Sequence, residues 1–375
     1  IGIPLAVFAR KLLGWARRAR VVVTAGRRWF WGGPTLAAIE AAGAGAGPQL
    51  ADTQPDDVAA ILFTSGSTGV PKGVVYRHRH FVAQVDLLRE AFGIQAGGVD
   101  LPTFPPFALF DPALGLASII PDMDPTRPAH ADPRRLHDAI ARFGVDQLFG
   151  SPALMRVLAE HGQPLPTLRR VTSAGAPVPA AVVAKMRELL PEQASFWTPY
   201  GATECLPVAG PTATDEYFRR PQATALAKIR ETLPDGSTRV VHRMGDLGYF
   251  DAQGRLWFCG RKSQRVRTPE GNLYTEQVEP VFNTHPEVAR TALVGVGEGA
   301  AQEAVLCVEV EKHLPQYEHE RVLAELRHLS EGFVHTARIR HFLVHDGFPV
   351  DIRHNAKIGR EKLAAWATKE LRWRR

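Results

Sequence analysis

Residues 61–74, ILFTSGSTGVPKGV, are the most informative stretch of this 375-residue chain for both its fold and its chemistry. The apolar run at 59–63 predicts a short buried strand, and another strand is expected to begin at Val74. Glycines between the two strands let the backbone approach an anion closely and turn several N–H groups toward it. Hydroxyl groups and a lysine in the same segment can bind phosphate oxygens. The residues concerned are Thr64, Ser65, Gly66, Ser67, Thr68, Gly69 and Lys72. The segment therefore predicts a binding site for a triphosphate.

The spacing of this segment differs from that of a Walker A loop, which needs Gly, four residues, and then Gly-Lys-Ser/Thr. Counted from Gly66, the position of the second glycine holds Pro71, and Lys72 is followed by Gly73. A flexible surface loop is the alternative, but the two flanking apolar strands argue against it. The segment instead resembles the phosphate loop of the adenylate-forming enzymes, the superfamily of acyl-CoA synthetases, luciferases and peptide-synthetase adenylation domains.

Length and composition describe a globular protein with room for two or more domains. The 45 basic and 39 acidic residues give a net charge of +6, and part of the excess lies near the two ends. A solvated helix face explains such an excess, and contact with an anionic substrate or membrane surface is the alternative. Three widely spaced cysteines without a CxxC pair indicate neither a disulfide framework nor a zinc site, which fits a reducing cytoplasm. No apolar run reaches the length of a membrane span, and no basic–aromatic stripe favours nucleic acid.

The first 50 residues are expected to contain a helix at 6–19, a strand at 20–25 and a loop rich in alanine and glycine at 41–47. These elements are too few to form a domain. The charged residues follow the apolar ones, which is the reverse of a signal peptide. We therefore expect the numbering to begin inside a domain whose opening part lies before residue 1.

Alternating helices and strands between residues 132 and 193 predict a parallel sheet with right-handed crossovers. Asp132 and Ser151 are expected helix caps, because each is followed by a proline at the first helical position. Strands are expected at 145–150 and 170–173. Ligands of such sheets lie at the carboxyl ends of strands, so the segment that follows the second strand is a candidate site. It consists of Ser173, Ala174, Gly175, Ala176 and Pro177, and the resemblance implies that it flanks an adenine ring.

Tyr200-Gly201-Ala202-Thr203-Glu204 resembles the Tyr-Gly-x-Thr-Glu motif of the same superfamily. The resemblance implies that Tyr200 and Gly201 contact the nucleotide, Tyr200 by stacking on the adenine. It also implies that Thr203 bonds a phosphate oxygen. Glu204 offers the hard oxygen ligand that Mg²⁺ prefers, so it is the candidate metal ligand.

Two further landmarks of the superfamily, Gly-Asp and Gly-Arg, are matched at Asp246 and Arg261. An ionised carboxylate has two acceptor oxygens and no donor, which suits a pair of ribose hydroxyls. The resemblance assigns this role to Asp246 and implies that Arg261 also reaches the ribose. Lys357, in Asn-Ala-Lys-Ile-Gly-Arg, matches the catalytic lysine of the superfamily's lid, and one more exposed cation among basic neighbours is the alternative.

The motifs together imply an α/β fold with layered sheets in a large adenylation domain at 1–261 and a small, mobile α+β lid domain at 262–375. In the lid, strands are expected at 291–296, 304–310 and 341–344, with a helix at 319–329. Only 42 positions (246 minus 204) separate two motifs that lie further apart in the superfamily. We therefore expect an internal stretch after about residue 208 to be missing from the numbering.

A narrower likeness is carried by TFPPFALFDPALG, IIPDMDPTRPA, YGATECLPVA and FPVDIRHNAKIGREKLAAWA. These stretches resemble the β-lactone synthetases of bacterial long-chain olefin biosynthesis. The resemblance implies that ATP and Mg²⁺ adenylate a 2-alkyl-3-hydroxy fatty acid, whose own 3-hydroxyl then displaces AMP and closes a β-lactone. The stretch at 101–121, rich in Pro and Phe, is expected to wall the acyl pocket. Other olefin-biosynthesis enzymes are candidate partners, in the cytoplasm.

Two alternatives remain open from the sequence. One is an acyl-CoA or acyl-carrier-protein ligase on the same fold, against which Ala108 counts, since many acyl-CoA synthetases have a histidine there. The other is a non-catalytic scaffold of the olefin pathway. The base that takes the proton of the 3-hydroxyl is not assigned. His78 and His80 follow the glycine-rich segment, but a surface or helix-cap role is favoured for both, and His354 near the lid loop is not assigned either.

Overall fold

Two units build the chain, Ile1–Gln54 and Pro55–Arg375. The computed structural model describes residues 1–47, 50–64, 71–206, 213–350 and 358–374, with side chains to residue 372 in the last helix.

The first unit contains two helices, α1 (Pro4–Leu13) and α2 (Leu36–Gly43). The predicted helix at 6–19 ends early because Gly14 adopts a left-handed conformation, with φ of 67°, that closes α1. The predicted strand at 20–25 is wrong, since only Thr24 pairs, through single bridges to Gly2 and Thr35. The loop expected from residue 41 begins later, because α2 continues to residue 43.

Two antiparallel strands, β1 (Val58–Phe63) and β2 (Gly73–Arg77), flank the glycine-rich segment, as predicted. Phe63 lies opposite Gly73, so both ends of the segment are held together. The prediction that β1 is buried is wrong: β2 is buried, but Leu62 and Phe63 in β1 are exposed. The reason is that β1 pairs with β2 alone among the described strands and turns side chains toward an open cavity.

Helix α3 (His78–Phe92) follows β2 directly. At its start, the buried His80 accepts a hydrogen bond at Nδ1 from the N–H of Arg77, at 2.9 Å. Burial lowers the pKa of His80. His80 is therefore a helix cap, the alternative that the sequence allowed. Gly93, with φ of 60°, ends the helix.

A five-stranded parallel sheet forms the centre of the second unit. In spatial order its strands are β4 (Ala117–Ser118), β3 (Val99–Pro102), β5 (Gln147–Gly150), β6 (Arg170–Ser173) and β7 (Ser195–Trp197). The helices between them are α4 (Asp111–Leu114), α5 (Pro133–Phe143), α6 (Pro152–His161) and α7 (Ala180–Leu189). The predicted parallel order is confirmed, and the carboxyl ends of β6 and β7 meet at one edge.

The helix caps read from the sequence are present. The side chain of Asp132 accepts from the N–H of Arg134 at 3.0 Å, and that of Ser151 accepts from the N–H of Leu154 at 3.4 Å. Buried aliphatic side chains of the strands and helices form one core, which includes Leu101, Leu136, Ile140, Leu148, Leu154, Met155 and Val171. This packing fixes the strand ends that carry the candidate site.

Two antiparallel hairpins connect the sheet to the last part of the chain. Helix α8 (Pro221–Ala227) precedes them. The first hairpin consists of β8 (Lys228–Thr232) and β9 (Thr238–His242), and the second consists of β10 (Asp246–Phe250) and β11 (Leu256–Arg261). In the second hairpin, Asp246 and Arg261 occupy directly opposite positions. The pairing brings the two residues together although fourteen others separate them in sequence.

The last part of the second unit is an α+β arrangement. Its elements are β12 (Val266–Thr268), β13 (Gly271–Leu273), α9 (Thr275–Phe282), β14 (Val288–Val296), β15 (Glu303–Val310), α10 (His319–Glu331), β16 (His341–Val344) and α11 (Arg360–Arg374). All three strands and the helix expected here are confirmed. Buried side chains that include Phe282, Leu306, Leu326 and Phe342 pack together among these elements. The domain boundary at residues 261 and 262 remains a prediction.

Cys205, Cys259 and Cys307 are buried and form no disulfide. Throughout the described ranges, no helix has both the length and the apolar character that crossing a membrane requires.

Candidate active site

A cavity of about 2590 Å³ opens in the second unit. Pockets for drug-sized ligands are typically about 300–1,000 Å³, so this cavity has room for two large groups. Every described residue that the sequence assigned to nucleotide binding lines it: Thr64, Lys72, Ser173, Ala174, Gly175, Ala176, Pro177, Tyr200, Gly201, Thr203, Glu204, Asp246 and Arg261. The other assigned residues, Ser65, Gly66, Ser67, Thr68, Gly69 and Lys357, lie outside the described residues. Their roles, like those of the lining residues, remain predictions.

The base of the glycine-rich segment is closed by two hydrogen bonds. The N–H of Thr64 donates to the carbonyl of Lys72 at 3.0 Å, and the N–H of Lys72 donates to Oγ1 of Thr64 at 3.1 Å. The ammonium group of Lys72 lies 5.0 Å from the ring centroid of Tyr217, within the range of a cation–π contact. The lysine is thereby held at the cavity.

Asp246 forms an ion pair at one side of the cavity. Its Oδ1 lies 3.1 Å from Nη1 of Arg261, and its Oδ2 accepts a hydrogen bond from the hydroxyl of Tyr200 at 2.5 Å. The same Nη1 donates to the carbonyl of Met244 at 2.7 Å, so Oδ1 is paired by charge but accepts no hydrogen bond from the described residues. Burial, and next the carboxylate of Asp246, raise the pKa of Tyr200. Tyr200 is therefore a neutral donor, and the carboxylate keeps an oxygen available.

Ser173 provides a second unsatisfied polar atom. It is the last residue of β6, is 1% exposed, and its Oγ has no hydrogen-bond partner among the described residues. Buried polar groups of folded proteins are almost always paired. Because Ser173 and Asp246 both line the cavity and each has an oxygen that accepts no hydrogen bond from the described residues, the residues present fit a ligand with several hydroxyl groups, such as a nucleoside.

Glu204 lies in a buried polar cluster. Its Oε1 accepts a hydrogen bond from the hydroxyl of Tyr217 at 2.7 Å and lies 4.0 Å from Nε2 of His242. Lys228 donates to Oγ1 of Thr214 at 2.9 Å and lies 5.7 Å from the ring centroid of Tyr217. Burial lowers the pKa of Lys228 to about 8 and that of His242 to about 4, and it raises the pKa of Tyr217. The cluster orients a carboxylate whose donor chemistry suits Mg²⁺.

Sequence reasoning missed Tyr217, Lys228 and His242. Lys228 and His242 are brought together as directly opposite residues of the β8–β9 hairpin. Tyr217 reaches the cluster because its backbone bridges to Val74 in β2. No local pattern marks these residues, because each gains its position from pairing with a distant segment.

Aromatic and aliphatic side chains form another wall of the cavity. Phe107 lies 4.3 Å from Phe149 and Phe81 lies 5.9 Å from Phe110, measured between ring centroids. The apolar lining includes Phe81, Val82, Val85, Phe104, Pro105, Pro106, Phe107, Leu109, Phe110 and Phe149. Part of the stretch at 101–121 thus lines the cavity, and its role as the wall of an acyl pocket remains a prediction. Helix α3 contributes side chains that the sequence did not assign.

Arg360, at the start of α11, also lines the cavity. Its guanidinium donates to both carboxylate oxygens of Glu279 in α9, at 2.5 and 2.9 Å, and to Oε1 of Gln264 at 3.3 Å. Both members of the ion pair are largely buried. Nearby, burial raises the pKa of Glu276 to about 7. The pair connects the last helix of the chain to α9.

Solved structures share this architecture. ATP-bound MatB from Rhodopseudomonas palustris is 21% identical, with a TM-score of 0.68 over 87% of this chain and 73% of that one. The amide bond synthetase McbA from Marinactinospora thermotolerans is 23% identical, with a TM-score of 0.73 over 98% of this chain and 79% of that one. The fold is that of the adenylate-forming enzymes.

Sequence comparison gives a closer assignment. The family model for AMP-binding enzymes matches residues 13–262. Olefin beta-lactone synthetase from Stenotrophomonas maltophilia strain K279a is 63% identical over 99% of this chain and 78% of that protein. Its counterpart from Xanthomonas campestris pv. campestris is 61% identical over the same shares. The chain therefore belongs to the AMP-binding enzyme family and, within it, to the family of the olefin beta-lactone synthetases.

The alignment with the Stenotrophomonas protein is longer than this chain. It extends over 432 positions, so at least 57 residues of that protein (432 minus 375) have no counterpart here. This agrees with the short interval between Glu204 and Asp246. That the missing stretch is absent only from the numbering remains a prediction.

Proposed function

We propose that this chain converts a 2-alkyl-3-hydroxy fatty acid and ATP into a β-lactone, AMP and pyrophosphate. One observation carries the proposal: in a chain 63% identical to an olefin beta-lactone synthetase, a single cavity joins the predicted nucleotide-binding residues to an aromatic wall suited to alkyl chains. The polar part would hold ATP and the carboxylate. The apolar part would hold the alkyl chains.

In the first step, a carboxylate oxygen attacks the α-phosphorus of ATP and pyrophosphate leaves. The two reactants are both anionic and repel each other, so cationic groups are needed at the point of attack. Lys72 and Lys357 would supply them, and removing one such group typically costs about 10²–10³ in rate. Mg²⁺ held through Glu204 would offset further phosphate charge.

In the second step, the 3-hydroxyl oxygen attacks the activated carbonyl carbon, and the bond from that carbon to the oxygen of AMP breaks. The proton of the hydroxyl passes to a base that is not assigned. The nucleophile is tethered to its electrophile, so the protein has to supply orientation rather than a covalent intermediate. The aromatic wall around Phe107 and Phe110 would exclude the water that otherwise hydrolyses the acyl-adenylate.

The test is mass spectrometry of the products from a 2-alkyl-3-hydroxy acid and Mg-ATP, with and without CoA. We expect β-lactone, AMP and pyrophosphate in both cases. Formation of the CoA thioester in place of the lactone would favour the acyl-CoA ligase alternative, against which Ala108 counts. Failure to exchange pyrophosphate with any acid would favour the scaffold alternative.

The proposal includes a cytoplasmic location, where ATP is available, and other olefin-biosynthesis enzymes as partners. It also includes a peripheral contact with anionic membranes, which supply hydrophobic acids. Support comes from the first unit, where the exposed Leu12, Leu13 and Trp15 lie near Lys11 and Arg17 in sequence. Cosedimentation with anionic vesicles, but not with neutral ones, is the expected result, and equal recovery with both would contradict the contact.

A further inference from the structure

Gln84 is a buried polar residue in the apolar wall of the cavity. It lies in the middle of α3 and is 2% exposed. It lines the cavity together with Phe81 and Val85 of the same helix. A polar side chain in such surroundings costs free energy unless each of its polar atoms has a partner.

Only one half of the Gln84 amide is satisfied. Its Nε2 donates to the carbonyl of Leu206 at 2.6 Å and lies 3.4 Å from the hydroxyl oxygen of Tyr76. Its Oε1 accepts no hydrogen bond from the described residues. The amide cannot be turned around, because the carbonyl of Leu206 only accepts and would then face another acceptor. The unsatisfied group is therefore a hydrogen-bond acceptor that is suited to a donor on a ligand.

The amide lies where the two parts of the cavity meet. Leu206 follows the Thr203–Glu204 motif by two residues, and the hydroxyl of Tyr76 donates to the carbonyl of Thr203 at 2.6 Å. On the other side, the ring of Tyr76 stacks on Phe81 of the apolar wall, with 5.0 Å between ring centroids. In a 3-hydroxy acid, one carbon separates the carboxyl carbon from the carbon that bears the hydroxyl. When the carboxyl group lies at the Thr203 motif and the alkyl chains lie on the wall, the hydroxyl falls at this junction.

We infer that Gln84 recognises the 3-hydroxyl group of the acid, with its Oε1 accepting a hydrogen bond from that hydroxyl. The inference rests on the proposed function and names a specificity-determining residue for it. A hydroxyl hydrogen directed at Oε1 leaves the lone pairs of the hydroxyl oxygen free to face the activated carbonyl carbon. An amide does not take up the proton, so Gln84 selects and orients the nucleophile and is not its base.

The test compares two acids that differ only at the third carbon, the 2-alkyl-3-hydroxy acid and the matching 2-alkyl acid without the hydroxyl. Pyrophosphate release measures kcat/KM for each acid. We expect the wild type to prefer the hydroxy acid by about tenfold, the typical effect of one buried hydrogen bond. Gln84→Met should lower kcat/KM for the hydroxy acid by about that factor and leave the other acid nearly unchanged. Gln147→Met, at a buried glutamine of β5 outside the cavity lining, is the matched control and should keep the preference.

An equal loss for both acids in Gln84→Met would overturn the inference, because it would show a structural role alone. The wild type provides a measurement that does not depend on a folded variant. A 3-fluoro acid has nearly the size of the hydroxy acid but no donor, so we expect it to behave like the acid without the hydroxyl. Activation of the fluoro and hydroxy acids with equal kcat/KM would also overturn the inference. Pyrophosphate release with none of the acids would instead contradict the proposed function.

Discussion

Asp246 is a single side chain whose predicted contact with the nucleotide can be tested. It is held by Tyr200 and Arg261 and keeps an oxygen that accepts no hydrogen bond from the described residues. In Asp246→Asn, the amide nitrogen would face either the guanidinium of Arg261 or the hydroxyl of Tyr200, and the negative charge would be lost. Hydrogen bonds to a charged group contribute about 1.5–3 kcal/mol, so we expect KM for ATP to rise about 10- to 100-fold. Pyrophosphate exchange at varied ATP concentration measures this change.

Asp251→Asn is the matched control for that prediction. Asp251 lies in the turn of the same hairpin and accepts a hydrogen bond from Nε1 of Trp257 at 2.8 Å, outside the cavity lining. We expect this variant to keep the wild-type KM for ATP. An unchanged KM in Asp246→Asn would show that this carboxylate does not bind the nucleotide.

Residues within contiguous motifs could be predicted from the sequence, and residues positioned by tertiary contacts could not. Thr203 and Glu204 stand in a recognisable pattern, and the structure places both at the cavity. Gln84 lies inside a stretch with the apolar pattern of a helix and belongs to no motif. Its proposed role follows from a hydrogen bond to Leu206, which is 122 positions away in sequence. Tyr217 likewise depends on its contact with Glu204.

At the scale of elements, a buried carboxyl pair connects β3, α4 and β4. Asp100 in β3 and Asp111 in α4 are both buried, and Ser118 in β4 donates a hydrogen bond to Asp111. Burial raises the pKa of Asp100 to about 8, the negative charge of Asp111 adds to the effect, and Arg170 opposes it. Burial also raises the pKa of Asp111. Burial and the neighbouring charge of Asp111 thus favour the protonated form of Asp100 in the folded chain.

The pair predicts a pH dependence of stability. An aspartate in the unfolded chain loses its proton near pH 4, whereas folded Asp100 keeps its proton up to about pH 8. The folded state thus binds more protons within this window, and its stability falls as the pH rises through it. Asp100→Asn imitates the protonated acid and does not titrate. We therefore expect the melting temperature of the variant minus that of the wild type to increase between about pH 4 and about pH 8, and to stay constant at higher pH.

Thermal unfolding at a series of pH values measures this difference. Other titrating groups, such as Lys228 and Glu276, are common to both proteins and cancel in the comparison. Asp86→Asn, at an exposed carboxyl group of α3, is the matched control. A difference between Asp100→Asn and wild type that does not vary with pH would contradict the prediction.

The elements themselves were predictable where their signals are local. Asp132 and Gly144 mark the ends of α5 by hydrogen bonding and by a left-handed conformation, and neither depends on distant residues. The burial of β1 and the expected strand at 20–25 were wrong for the opposite reason. Both depend on how many neighbouring strands pair with the segment, and the apolar content of the segment alone does not determine that number.

Across the second unit, the cavity gathers residues from Ala60 to Arg360. The order of the motifs implied this gathering through the family resemblance. The spacing of the motifs in sequence did not predict the distances between their side chains or the buried cluster around Glu204. It also did not predict that Gln84 lies where the polar and apolar parts of the cavity meet. What the assembled cavity adds is a single volume in which a nucleotide, a carboxylate and a hydroxyl on the same acid can meet.

In the proposed reaction, the acid becomes an acyl-adenylate and its own hydroxyl then closes the ring. The most direct test uses a 2-alkyl-3-hydroxy acid labelled with ¹⁸O at both carboxylate oxygens, followed by mass spectrometry of all products. We expect one ¹⁸O in the phosphate of AMP, one in the lactone carbonyl, an unlabelled ring oxygen and unlabelled pyrophosphate. AMP without the label, or a lactone that keeps both labelled oxygens, would contradict the claim.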